Sequence, residues 1–203
     1  GRELTGRTGK GSTAAEDYTK ADDADLLMAS GQRQQAAFAE LVNRYHRPVY
    51  RLVWRMTGGH ADSEDIAQEA FLKLWRNPSQ VREAKALKGW LMRVASNAVI
   101  DRSRKPAHAD IDAAVEVSDP AARTDHPLDR AEAAALVDRG IAALPDRQRL
   151  ALSLVYFEGL SNIEAAEAME VSVEAVESLL ARAKRGLKQA LADRWRDLLD
   201  GLA

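Results

Sequence analysis

The sequence predicts an all-α protein made of two small helical domains joined by a flexible acidic linker, and three observations carry that prediction. Alanine occurs 37 times in 203 residues, whereas isoleucine and threonine together occur 11 times, a balance that favours helix over sheet. Apolar residues recur at intervals of three and four over long stretches on both sides of the chain's middle. Between those stretches, 107–126 has no sustained period, holds Pro120 and several aspartates, and is flanked by Pro106 and Pro127, as a linker is.

The elements follow in order. Residues 1–21 are rich in Gly, Thr and Ser with no apolar period and read as a flexible N-terminal segment. The first domain is 22–106. It opens with a short helix from Asp22 to Ser30. A long helix over 33–57 then carries Phe38, Leu41, Val42, Tyr45, Val49, Leu52, Val53 and Met56 as one stripe, and Gly58–Gly59 stops it. A helix over 62–76 starts at Asp62 or Ser63 as cap, offers Glu64 and Asp65 to its positive end, and buries Ile66, Ala70, Phe71 and Leu74. Asn77–Pro78 ends it. A polar loop leads into a helix over 84–104 with Leu87, Leu91, Val94, Ala98 and Ile100 on its apolar side.

The second domain is 127–203. A helix carries Leu128, Leu136, Ile141 and Leu144, Pro145–Asp146 punctuates, and another carries Leu150, Leu152, Val155 and Tyr156 up to Gly159. Ser161-Asn162-Ile163-Glu164 is a capping box, which starts a short helix with Ile163, Ala166 and Met169 turned inward. The helix breaks at Glu170-Val171-Ser172. Ser172 caps a second helix through Val176, Leu179, Leu180, Ala183 and Leu187. Helix, tight turn, helix, with a small residue at Ala165 in the first helix, suits a unit whose second helix enters a DNA major groove; a plain helical hairpin is the alternative.

Charge distribution is more informative than its total. The net charge is −2, yet residues 31–105 carry 14 Lys/Arg against 7 Asp/Glu, and 106–140 carry 3 against 8. A basic block beside an acidic connector suits a phosphate-binding module next to a nucleic-acid-avoiding or nucleic-acid-mimicking linker, or else an ordinary solvated helical surface. The absence of cysteine excludes disulfide frameworks, thiolate metal sites and cysteine nucleophiles, and four scattered histidines leave no expectation of a metal or cofactor. No apolar run reaches the ~18 residues of a membrane span and no charged-then-apolar leader is visible, so a cytoplasmic protein without membrane insertion is expected. No phosphate-cradling glycine loop, His-Glu-x-x-His or nucleophile elbow occurs, so no enzyme is expected.

Two separated segments resemble the bacterial RNA polymerase sigma factors of the extracytoplasmic-function (ECF) type. The first runs from Ala61-Asp62-Ser63-Glu64-Asp65-Ile66-Ala67-Gln68-Glu69-Ala70-Phe71-Leu72-Lys73-Leu74-Trp75 through Gly89-Trp90-Leu91-Met92-Arg93-Val94-Ala95-Ser96-Asn97 to Asp101-Arg102 and Arg104-Lys105, and is similar to region 2 of the family. The second, Leu144-Pro145-Asp146-Arg147-Gln148-Arg149, then Tyr156-Phe157-Glu158-Gly159-Leu160-Ser161 and Ala181-Arg182-Ala183, is similar to region 4. The resemblance implies that 22–106 binds core polymerase and recognises and melts the minus-ten element, that 127–203 recognises the minus-thirty-five element, and that an anti-sigma factor controls the chain.

The residue chemistry agrees. Melting requires polar readers of a displaced base, apolar walls and cations on the backbone. Asn97 has the amide for a base edge; by resemblance it and Ser96 belong to the minus-ten pocket, with the loop 77–86 as the other wall. Lys73, Arg76, Lys88, Arg93, Arg102, Arg104 and Lys105 suit phosphates. Trp75 and Trp90 fit either core or stacking platforms. Asp65, Gln68, Glu69 and Leu72 fall on one helical face, which the resemblance implies docks on the polymerase clamp. The candidate minus-thirty-five contacts are Ser161, Ser172, Glu174, Ala175, Glu177, Ser178, Arg182, Lys184 and Arg185. The family often has Thr-Val-Lys-Ser-Arg where this chain has Ala175-Val176-Glu177-Ser178-Leu179, so its carboxylates repel phosphate but can accept from a cytosine amino group. The linker acids Asp110, Asp112, Glu116, Asp119 and Asp125 are candidates to mimic phosphates in a polymerase channel. Competing readings are a helix-turn-helix transcription regulator and a sigma-like decoy that binds a regulator.

Overall fold

The computed structural model describes residues 17–104 and 127–200, and among them it contains eight α-helices and no strand. The expected linker and most of the N-terminal segment lie outside the described residues. Helices α1 (Asp23–Gly31), α2 (Gln35–Thr57), α3 (Ser63–Arg76) and α4 (Leu87–Arg104) form the first bundle; α5 (Pro127–Ala142), α6 (Asp146–Leu152), α7 (Asn162–Met169) and α8 (Val173–Asp200) form the second.

The first bundle follows its apolar periods. Asp22 caps α1 through the amide of Asp25. In α2, Leu41, Val49, Leu52 and Val53 are fully buried, and α3 meets them with Ile66, Ala70, Phe71 and Leu74. At roughly 1.5–3 kcal/mol for each large apolar side chain taken from water, this stripe holds the bundle. It also carries α2 through Pro48, which lacks the donor for the Arg44 carbonyl; burial on both sides offsets the ~3 kcal/mol that a mid-helix proline costs. Gly58 ends α2 at φ 68°, a left-handed cap open to glycine.

Local expectations fail in four places. Neither Asp62 nor Ser63 caps α3. The Ser63 hydroxyl instead bonds the His60 carbonyl and Thr57, and the Asp62 carboxylate pairs with Arg102. The helix expected from residue 84 begins at Leu87, preceded by short 3-10 turns at Pro78–Gln80 and Ala84–Ala86. Ile163, expected inward, is 63% exposed, and Tyr156 is 54% exposed. The stretch Ser153–Phe157 is wound as a π-helix, with the Glu158 amide donating five residues back to Ser153 at 3.0 Å. That widened turn rotates the residues after α6 relative to a regular helix.

The two bundles share a core, where the sequence suggests separate bodies on a tether. Leu150, Ala151, Leu154, Leu160, Ala165, Ala166, Ala168, Val176 and Leu180 belong to the same buried cluster as α2, α3 and α4. A smaller cluster of Ile141, Leu144, Leu152 and Ala183 fixes α5 against α8.

Candidate nucleic-acid interface

The helix-turn-helix is built as its sequence suggests. The Ser161 hydroxyl accepts from the Glu164 amide at 3.2 Å while the Glu164 carboxylate accepts from the Ser161 amide at 2.7 Å. Those bonds hold the Glu164 carboxyl below its ordinary range. α7 ends on Glu170, a non-glycine residue at φ 56°, and Ser172 caps α8 by accepting from the Ala175 amide at 3.1 Å. Ala165 is fully buried at the crossing. Glu174, Ser178, Arg182 and Arg185 run along one exposed face of α8 with Glu177 beside them, and Lys184 lies over the Tyr156 ring at 4.9 Å. Ala175 is half-buried. The Ser161 and Ser172 hydroxyls serve as caps, which assigns them to the shape of the unit.

On α3, Asp65 and Gln68 are exposed, Glu69 is partly covered, and Leu72 is 51% exposed, so the four form the accessible face that their spacing predicts. Gln68 bonds Glu64, and Glu69 pairs with Lys73 at 3.6 Å. Arg76 is exposed at the end of the same helix.

The α4 candidates divide. Asn97 is exposed and lines a cleft of about 580 Å³ with Asp101, Asp146, Arg147 and Glu170. Arg93 sits 3.6 Å from the Glu170 carboxylate, Lys88 donates to the Glu158 carbonyl, and Arg102 pairs with Asp62 at 3.3 Å. Ser96 is a correction: it is 2% exposed and its hydroxyl donates to the Met92 carbonyl at 2.6 Å, because its position on α4 faces the bundle. Trp90 is buried, and Trp75 packs on Phe38 with its ring 5.1 Å from the Arg33 guanidinium, so both indoles are taken up in packing. Arg104 ends α4, and Lys105 lies outside the described residues.

Sequence reasoning missed the groups that join the two bundles. Glu158 follows the π turn, and its side chain is fully buried between Arg51 at 3.3 Å and Arg55 at 3.6 Å. Burial pulls the Arg55 guanidinium below its ordinary value while Glu158 works against that shift, and the guanidinium stacks 3.8 Å from the Phe157 ring. Arg149 donates to the Met56 carbonyl at 2.9 Å, satisfying an acceptor orphaned at the end of α2, and to the carbonyls of Ala142 and Leu144. These partners are up to 107 residues apart, and no local period announces them. Among the described residues, no group of three or more His, Asp or Glu is placed to hold a metal. No helix there is long and apolar enough to cross a membrane.

A helix-turn-helix unit packed on a basic helical bundle defines a class that comparison with known proteins makes specific. The Sigma-70 region 2 family matches residues 41–108, and Sigma-70, region 4 matches residues 134–187. The ECF RNA polymerase sigma factor SigW of Bacillus subtilis is 32% identical over 171 residues, covering 78% of this chain and 91% of its own. SigM of Mycobacterium tuberculosis is 33% identical over 172 residues, covering 83% and 84%. Among solved structures, CnrH in complex with the cytosolic domain of CnrY superposes with a TM-score of 0.64 at 23% identity, covering 84% of this chain and 97% of that one. The sigma factor RpoE of Bartonella quintana, in complex with the anti-sigma factor NepR, gives 0.63 at 18% identity, covering 76% and 96%. The chain therefore belongs to the ECF RNA polymerase sigma factors, which are transcription initiation factors.

Proposed function

We propose that this chain binds core RNA polymerase, directs it to a promoter and helps to melt the minus-ten element. The Asp65, Gln68, Glu69 and Leu72 face of α3 docks on the polymerase. Asn97 takes the displaced strand, together with the cations Lys73, Arg76, Lys88, Arg93, Arg102, Arg104 and Lys105, with 22–106 as the unit that does so. The exposed face of α8 within 127–203 reads the minus-thirty-five element. Arg182, Lys184 and Arg185 hold phosphates, and Glu174, Glu177 and Ser178 face the bases, where a carboxylate accepts from cytosine. An anti-sigma factor is the proposed regulator, since related folds carry one. The observation that supports the reading most is the match to both family regions, in order, on one chain.

Run-off transcription with purified core polymerase tests it. Promoter-dependent transcripts that need the added chain are the expected result; association with no transcript would instead favour a decoy. The paired carboxylates of the recognition helix are the one feature favouring that second reading. If cations on α4 do hold the strand, each alanine substitution lowers the steepness of log affinity against log salt by about 0.7–0.9.

A further inference from the structure

Arg33 departs from what its backbone position asks for. The turn after α1 is a Schellman motif, in which the Gln34 amide donates to the Ala29 carbonyl at 3.0 Å across Arg33 at φ 64°. That left-handed site is ordinarily glycine's, because a β-carbon there crowds the backbone. Gly31, two residues earlier, lies inside the helix instead. Residues kept in such a conformation concentrate at working sites, and the Arg33 side chain shows what it is kept for. It crosses to α3, where Nη1 donates to the Trp75 carbonyl at 2.7 Å and the guanidinium lies over the Trp75 indole. This carbonyl is one of the last four of α3, which no amide of the helix can satisfy, and a cation is favoured at that end. Two residues on, at Asn77, the chain enters the loop 77–86. Within that loop only Val81 is buried. The loop's own backbone bonds, Gln80 to Asn77, Val81 to Pro78 and Ala86 to Glu83, are local, so they shape its turns without fixing where it stands. α1 lies against both of its 3-10 turns.

We propose that Arg33 is a positioning residue for minus-ten recognition: it ties the end of α1 to the end of α3 and so holds the loop 77–86 where a displaced base meets it. The proposal rests on the reading of residues 22–106 as the melting unit and of this loop as a wall of its pocket. Arg33 acts through Trp75 and touches no DNA. The left-handed turn aims its side chain across the 42 residues of sequence that separate the two helix ends. A glycine would make the better turn and leave the loop without its tie, so local stability and strand recognition pull this position in opposite directions.

That opposition makes the test. Core polymerase is reconstituted with the parent chain, Arg33→Gly or Arg33→Lys, and the probe is a labelled single strand carrying the non-template minus-ten segment of a promoter that the parent holoenzyme transcribes. Arg33→Gly should keep a urea midpoint close to the parent's, since relief of the turn offsets the lost bond. Its holoenzyme should nevertheless bind the strand about five-fold or more weakly, because apparent affinity scales with the fraction of loops correctly placed. The slope of log affinity against log salt should not change. Arg33→Lys keeps a donor and a cation at the helix end and should recover most of the binding. A glycine chain that binds as tightly as the parent, or a lysine chain as weak as the glycine one, overturns the proposal. So does a slope lowered by about 0.7, the mark of a lost single-strand phosphate contact, which would make Arg33 a direct ligand of the DNA. A parent holoenzyme that binds the strand no better than core polymerase alone overturns the functional reading itself, an outcome distinct from a parent that binds and a glycine chain that matches it.

Discussion

Glu170 at the helix-turn-helix turn offers a prediction in which backbone strain and ion pairing separate cleanly. At φ 56°, ψ 44° its β-carbon crowds the backbone, which costs an L-residue about 1–2 kcal/mol. Its carboxylate lies 3.6 Å from Arg93, in a pair whose side chains are 38% and 63% exposed, so the pair contributes no more than about 1 kcal/mol. Glu170→Ala removes the pair and keeps the β-carbon; Glu170→Gly removes both. The glycine chain should therefore be the more stable of the two by about 1 kcal/mol, or roughly 2–4 °C in Tm at this size. In a regular helix interior the same comparison runs the other way by about the same amount, so the sign is diagnostic. Urea and thermal denaturation followed by circular dichroism provide the measurement. Repeating it near 1 M salt, where screening acts within about 3 Å, should shrink the loss on going to alanine and leave the alanine-to-glycine difference intact. An alanine chain as stable as the glycine chain would refute the strained-turn argument.

Three further outcomes are expected. Leu74→Ala, at a fully buried position facing α2, should cost about 2–5 kcal/mol in urea denaturation, since the bundle closes only partly on the cavity. Tyr45 is pushed up to about 12, by burial first and then by its hydrogen bond to Asp23 and that carboxylate's charge. A folded value above the unfolded 10.0 means a contribution fully present below pH 10 and lost as pH rises through about 12, so Tyr45→Phe should flatten the stability profile across that window. Asp65→Arg should abolish capture by core polymerase in a pull-down while leaving the circular dichroism melt unchanged, because the residue is exposed; undiminished capture would remove α3 from the docking role.

What the sequence makes legible here is whatever is local. The α2 and α3 stripes, the stop at Gly58 and the capping box at Ser161 are all written within a few residues, and they stand in the structure. Ile163 fails because a seven-residue apolar pattern does not say which face another bundle covers. Ser96 fails for a related reason: a motif match places it beside Asn97, but one step along a helix turns a side chain by about 100°, which takes it from cleft to core. The π turn at 153–157 was invisible because its apolar composition is that of an ordinary buried helix. Its consequence, the inward Glu158, was hidden with it. Arg51 and Arg55 sit four residues apart on α2 and look like solvated cations until the distant carboxylate arrives. The exposed faces of α3 and α8 are legible as spacing, and what they are proposed to bind rests on the resemblance to a family.

The charge distribution gains a physical meaning from the packing. Read along the chain, the basic block over residues 31–105 and the acidic residues of the second half point to two modules with opposite preferences, and the acids look misplaced in a unit meant to approach DNA. In the folded chain Glu158 and Glu170 pair with Arg51, Arg55 and Arg93 of the first bundle, while Asp146, Glu164 and Glu167 line the clefts between the bundles. Glu174 and Glu177 lie exposed along the recognition helix. The acids thus differ in what faces them: Glu158 and Glu170 meet arginines of the first bundle, whereas Glu174 and Glu177 lie on the exposed face of α8. A chain near neutrality overall can in this way carry a basic first bundle, because part of the counter-charge is supplied by the second bundle of the same molecule.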